Sequence, residues 1–310
     1  MTVAARRISD APLIHSGMDQ RMGTNINGPS LIRAPDWLEN PLGRFLLYFA
    51  DHRGKYIRLA YADHPEGPYE IHGPGCLDLA DSHYPVERRF ASGNLPSWAS
   101  GPEDWYYPHI ASPDVHVLEE SRQIRMYLHG LLDNGDQATR VAHSSDGLNF
   151  TVMPELLGPP YFRAFSYAGS WYALALPNHV LRSGDGVSVF EQGPRPLPQA
   201  TRHTAVLLRD DILHVFWSEI GDTPERIYHG RIDLATDWMN WTLEGRREIL
   251  RPELDWEGAA EPLLPSVAGA ADEPVHQLRD PCIFEDGGKT YLLYSAAGER
   301  AIGMAELMGL

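Results

Sequence analysis

Carboxylates, imidazoles and guanidinium groups stand at the edges of short apolar runs throughout this sequence. HIASPDVHV places His109, Asp114 and His116 around a β-branched run, and QLRDPCIF sets Arg279 against Asp280. Arg202 precedes His203 at the head of HTAVLL, Arg163 follows Phe162 at the head of another run, and HVFWS is followed by Glu219. Asp51 and His52 close FLLYFA, and Asn27 opens NGPSLI. Converging on one site, such a mixture binds a polyhydroxylated ligand and moves protons on it. The apolar approach to Glu219 suits it to be a general acid with a raised pKa, Asp114 suits a base or a group tuning the acid, and Asp51 is the alternative base. Arg279 is expected to orient Asp280 and keep it ionised.

These residues recur because a structural unit recurs. Second strands rich in aromatics read FLLYFA at Phe45, MYLHG at Met126, WYALAL at Trp171, HVFWSE at His214 and YLLYSA at Tyr291. Ahead of them lie GPSLI at Gly28, PDVHV at Pro113, FRAFSY at Phe162, HTAVLL at His203 and DPCIF at Asp280. A small sheet repeated at this period cannot bury both its faces alone and must stack on its neighbours, so the expected fold is all-β, a five-bladed propeller. The blades start near residues 27, 114, 163, 203 and 280, in one domain over residues 1–310. The last blade lacks an outer strand, and an N-terminal segment around Arg7 to Ile14 would complete it and close the ring. In a blade, the start of the inner strand and the end of the second strand share one face. That rule sends Asn27, Asp114, Arg163, His203 and Asp280 to one channel mouth, with Asp51, His52, His129, Asn178, His179, Glu219 and Glu299.

Composition is consistent with this picture. The 25 prolines and 28 glycines spread among turns, as many short strands require. A net charge of −16 argues against nucleic acid or an anionic membrane surface as partner. No apolar run approaches the roughly 20 residues of a membrane-spanning helix. The opening MTVAARRISDAP has no apolar core of a secretory signal, so a cytoplasmic protein is expected. Two cysteines are too few for a disulfide framework.

The layout, the RDP at Arg279 and the turns GPY at Gly67 and SSDGLNF at Ser144 resemble the five-bladed glycoside hydrolases of family 43 and their relatives. The resemblance implies acidic residues at one channel end that cleave a glycosidic bond. Asp114 matches the second-blade aspartate by position, and Asp280 resembles the aspartate of an RDP-type start. Two positions depart: Asn27-Gly28-Pro29 stands where the family opens its first blade with a catalytic aspartate, and Arg163 stands where the third blade should bring a proton donor. Asn cannot act as a base, and Arg cannot donate at neutral pH.

The resulting expectation is a glycoside hydrolase-like enzyme for a short oligosaccharide, acidic if Arg163 meets a substrate carboxylate, with Asp51, Asp114, Glu219 and Asp280 catalytic. Substrate contacts would come from Asn27, His52, His109, Arg163, His203, Arg279, Glu261 on the connection before the last blade, and Trp105 as a stacking platform. Two alternatives stay open: a lyase or isomerase with a histidine base and Arg163 holding a substrate carboxylate, and a non-catalytic glycan-binding propeller. No cofactor is required by any motif, although a channel cation such as calcium could sit among His116, His203 and Asp280.

Overall fold

A computed structural model describes residues 3–87 and 106–310. Among these residues the strands form five antiparallel sheets, four of four strands and one of five. The inner strands are Asn27–Arg33, Ile110–Leu118, Arg163–Tyr167, Thr201–Arg209 and Leu278–Asp286. Each is followed by its second strand, the first being Phe45–Ala50, and in the four-stranded sheets the sequence order is the spatial order. The inner strand of blade 5 packs against those of blades 1 and 4, and that of blade 1 against blade 2, so the fold is a five-bladed β-propeller.

The second strands are apolar on both faces because each is sandwiched between neighbouring blades. All six residues of Phe45–Ala50 are buried, and Trp217 on the second strand of blade 4 is fully enclosed. The buried apolar side chains form five clusters among the described residues, one at each junction between consecutive blades. Loss of Trp217 from its cluster would cost about 3–5 kcal/mol.

Polar links repeat at the same junctions. The Tyr48 hydroxyl donates to the Gly147 carbonyl of the next blade at 2.9 Å, and Tyr127 does the same to Gly186 at 2.8 Å. Those glycines close S-x-D-G turns in which Asp146 and Asp185 accept backbone N–H groups two and three residues on. Both glycines have positive φ, 73°, where a β-carbon would be strained.

The ring closes between the two ends of the chain. Ala4–Arg7 pairs antiparallel with Ala301–Met308, and Ile14 pairs with Ile302, which gives blade 5 its outer strand as the sequence suggested. Arg7 locks the seam by bonding both carboxylate oxygens of the fully buried Glu257, which also accepts from the Tyr294 hydroxyl. No helix among the described residues is long and apolar enough to cross a membrane.

Candidate functional site

One backbone irregularity builds the channel mouth. In blades 1, 2, 4 and 5 the register between inner and second strands slips near the top of the inner strand, between Asn27 and Ser30, Ala111 and Asp114, Thr201 and Thr204, and Arg279 and Cys282. Gly28, Ser112 and Asp280 stand in these slips with φ of 59°, 51° and 47°, and a proline follows each. Tyr161, two residues ahead of Arg163 in blade 3, has φ of 64°. A β-carbon on Gly28 would come 3.2 Å from the Ser112 Cα, so adjacent bulges nearly touch there. A left-handed conformation costs a non-glycine residue about 1–2 kcal/mol. Ser112, Tyr161 and Asp280 all hold it while lining one small cavity at the channel axis, and strain concentrated in that way marks a functional site.

Above this cavity opens a pocket of about 580 Å³, and His52, Tyr161 and His203 belong to both. They form the floor of the pocket. Nδ1 of His203 lies 2.5 Å from Oδ1 of the buried Asp280, off the line of an ideal hydrogen bond, which leaves Nε2 on the far side of the ring. Nδ1 of His52 lies 3.6 Å from Oε1 of Glu299. Burial works to raise both carboxyl pKa values, but His203 beside Asp280, and His52, Arg279 and Asn25 beside Glu299, outweigh it and hold both below the usual range. Two imidazoles thus face one pocket, each backed by an ionised carboxylate.

The rest of the floor is neutral and aromatic. The Tyr161 ring sits between His129 and His203, with centroid separations of 4.1 and 4.8 Å. Burial, reinforced by the neighbouring His109, His52 and His203, drives the His129 pKa far down, and neither of its ring nitrogens has a hydrogen-bond partner. His109 is also pushed down by burial, to about 4, although its Nδ1 donates to the Tyr107 carbonyl at 2.6 Å. That bond fixes the tautomer and leaves Nε2 of His109 as an acceptor.

A buried ion network holds the rim from behind. Arg202 Nε donates to Glu225 at 2.9 Å, Arg279 Nε lies 3.2 Å from the same carboxylate, and Arg279 Nη1 reaches Glu299 at 3.1 Å. Glu225, Arg279 and Glu299 are almost completely enclosed. Asn25 connects this network to the loop carrying His52, since it donates to Glu299 and accepts from the His52 N–H.

The structure gathers Asn27, His52, His109, His203 and Asp280 at this site, with Glu299 and His129 from the second-strand ends. It does not bring Asp51, Asp114, Glu219 or Arg163 there. Asp114 lies two residues further along its strand, past the bulge, in a cavity of about 390 Å³ toward the other end of the channel. Its carboxylate accepts the Ala164 N–H of blade 3 at 2.7 Å and contacts His116. Ser30 holds the Val115 N–H of blade 2 in the equivalent way, and Cys282 sits against the Leu31 N–H, so Asp114 is one of a set of inter-blade staples. Arg163 lies at the same level, donating to the Phe162 carbonyl, too deep to hold a substrate in the pocket.

Asp51, in the turn beyond the strand, pairs with Arg58 of the third strand at 2.9 Å and accepts the Arg53 N–H, while His52 lines the pocket. Glu219 turns outward to Arg246 at 2.8 Å and accepts from the Trp217 indole. Burial pulls its pKa up but these donors pull it further down, the opposite of what a proton donor needs. Arg279 binds Glu225 and Glu299 rather than orienting Asp280, whose close partner is His203. Glu261 is half-buried on its loop and is not part of the pocket lining. Trp105 lies outside the described residues, and its neighbour Tyr106 lines the pocket.

Tyr161, Arg202 and Glu225 had no part in the expected site. Aligning the bulges would have found Tyr161, which occupies the position of Gly28, Ser112 and Asp280. No signal marks Glu225, buried at the start of a third strand.

The expected cation constellation is not assembled, since His116 pairs with Asp114 and His203 with Asp280. Among the described residues no group of three or more histidine, cysteine, aspartate or glutamate side chains is arranged to hold a metal ion. Of the residues lining the axial cavity, four are histidines and five, Asn27, Ser112, Tyr161, Asp280 and Glu299, carry side-chain oxygens.

The fold is one shared with solved GH43 enzymes. A GH43_1 enzyme from Xanthomonas citri superposes with a TM-score of 0.62 at 15% identity, over 98% of this chain and 92% of that one. CoXyl43, a GH43 β-xylosidase/α-arabinofuranosidase from a compost microbial metagenome, gives 0.60 at 13% identity over 99% and 96%. An N-acetylgalactosamine deacetylase from F. plautii gives 0.55 at 12% over 97% and 95%, so the scaffold also carries chemistry other than glycoside cleavage. No protein-family profile matches the chain. The uncharacterized protein R118 of Acanthamoeba polyphaga mimivirus is 35% identical over 309 residues, covering 91% of this chain and 83% of that protein, and the chain belongs to its family.

Proposed function

We propose that the protein is a hydrolase of a glycosidic bond in which two imidazole–carboxylate pairs replace the usual two carboxylic acids. The observation that carries this reading is that His203 and His52, the two imidazoles shared by pocket and axial cavity, each have a buried carboxylate behind them, Asp280 and Glu299. His203 Nε2 takes a proton from water as the water oxygen bonds to the anomeric carbon. The bond from that carbon to the leaving oxygen breaks, and protonated His52 donates to that oxygen. The products are a free sugar and an alcohol, and the two imidazoles exchange their protons with solvent to reset. Asp280 and Glu299 hold the rings and offset the imidazolium charge. Tyr161 packs on His203 and excludes water from its face.

The test is His203→Gln and His52→Gln on a panel of glycosides, with pH–rate profiles. A bell-shaped profile that loses one limb in each variant supports the pair. Unchanged turnover in both variants overturns it, and binding without turnover by the parent leaves a glycan-binding propeller.

A second reading, proton abstraction beside a substrate carboxylate by His203, is favoured by one observation: Arg202, the residue next to it, also lines the pocket. An unsaturated, ultraviolet-absorbing product from a uronate-containing oligosaccharide would distinguish this elimination from hydrolysis.

A further inference from the structure

The walls of the pocket differ in kind from its floor. Above the histidines the sides are mostly apolar, made by Leu132, Pro159, Pro160, Leu176, Ile220 and Ala268, with Tyr106, Asp136 and Gln137 as the polar members. The apolar character continues over the rim, where Ile220, Leu263, Leu264 and Val267 are 37%, 57%, 62% and 67% exposed. This rim is anchored, since Arg202 donates to the Val267 and Gly269 carbonyls and the Gly221 N–H donates to Ser266. A saccharide chain running up the wall would need an amide, carboxylate or hydroxyl for each ring hydroxyl it desolvates. Asp136 and Gln137 offer such groups on the loop that carries Leu132, whereas the surfaces of Pro159, Pro160, Leu176, Ile220 and Ala268 offer no side-chain partner and gain by covering methylene or aryl groups.

We propose that the group beyond the scissile bond is apolar, so that the substrate is the glycoside of an alkyl or aryl alcohol. The sugar ring rests on the histidine floor, and the aglycone lies along Leu132 and Ile220 toward the exposed rim. This rests on the hydrolytic reading of the floor and narrows it: specificity lies in the leaving group more than in a second sugar.

The experiment compares octyl glycosides with disaccharides of the same sugars, whose leaving sugar is the more acidic alcohol and so intrinsically the better leaving group, using the full chain and the variants Ile220→Asn and Leu132→Asn. Octyl glycosides should be cleaved with at least about tenfold higher kcat/KM than the disaccharides. Each variant should raise KM for the octyl glycoside roughly tenfold with kcat unchanged, because the wall binds ground and transition states alike. Disaccharides cleaved as well as octyl glycosides, or variants with unchanged KM, would overturn the proposal. If neither class is cleaved, the reading of the floor fails. Calorimetric titration with octyl glucoside then decides the wall alone: binding weakened by both variants supports it, and no binding, or binding indifferent to them, rejects it.

Discussion

His203 and Asp280 come from the inner strands of different blades, and their Nδ1 and Oδ1 atoms lie 2.5 Å apart at the channel mouth. Only an inner strand broken by a bulge sets a buried carboxylate sideways against its neighbour's ring. If His203 is the base, His203→Gln lowers kcat/KM by roughly 10² to 10⁴. Asp280→Asn keeps the left-handed backbone, which Asn tolerates, and should lower activity without unfolding the chain. Because the two act as a unit, the double variant should be little worse than His203→Gln alone. Additive losses in steady-state kinetics would separate them.

Asp114 should behave in the opposite way. Its carboxylate joins blade 2 to blade 3 through the Ala164 N–H, so Asp114→Ala is expected to cost about 1.5–3 kcal/mol in urea unfolding. Turnover per folded molecule should change little, and so should that of Glu219→Gln. A hundredfold loss of kcat in either variant would restore the role that position along the strand suggested.

Glu225 faces two arginines with no water to share the charge. Glu225→Gln leaves Arg202 and Arg279 undercompensated, and a loss of about 3–5 kcal/mol is expected by thermal or chemical denaturation. A stability change within error would mean that the rim is held by its backbone contacts instead.

Acid should unfold the protein in two stages. His109, held near 4 by burial, stays neutral in the folded state while the unfolded chain takes up a proton below pH about 6.5. Stability therefore falls as pH drops from about 6.5 to 4, by roughly 3 kcal/mol for this residue, and His129 adds to the loss in the same direction. Asp280 and Glu299 have depressed folded values, so their contribution is intact above the unfolded carboxylate range and is lost only at lower pH still. His109→Gln should flatten the first stage, as read from urea midpoints across pH.

The blades were legible because second strands buried on both faces leave unbroken apolar runs such as FLLYFA and YLLYSA. The rim was legible where a charged residue abuts such a run and the rule of strand ends applies, which recovers His52, His203 and Asp280. Counting failed by two residues at Asp114, because the strand begins at Ile110 and the bulge at Ser112 adds a residue that no composition signal announces. It failed at Glu219 and Asp51 because Arg246 of an outer strand and Arg58 of a third strand hold those carboxylates in ion pairs away from the pocket.

The left-handed residue followed by proline, met at Gly28, Ser112 and Asp280, works as a socket. The proline fixes the backbone beyond it, so what the socket presents to the axis depends on the residue plugged in: nothing in blade 1, a hydroxyl in blade 2, a carboxylate in blade 5. Chemistry can then move around the ring by single exchanges while the strands beneath stay as they are. Ser112→Asp would place a second carboxylate across the axis from Asp280, on a backbone already shaped to carry it.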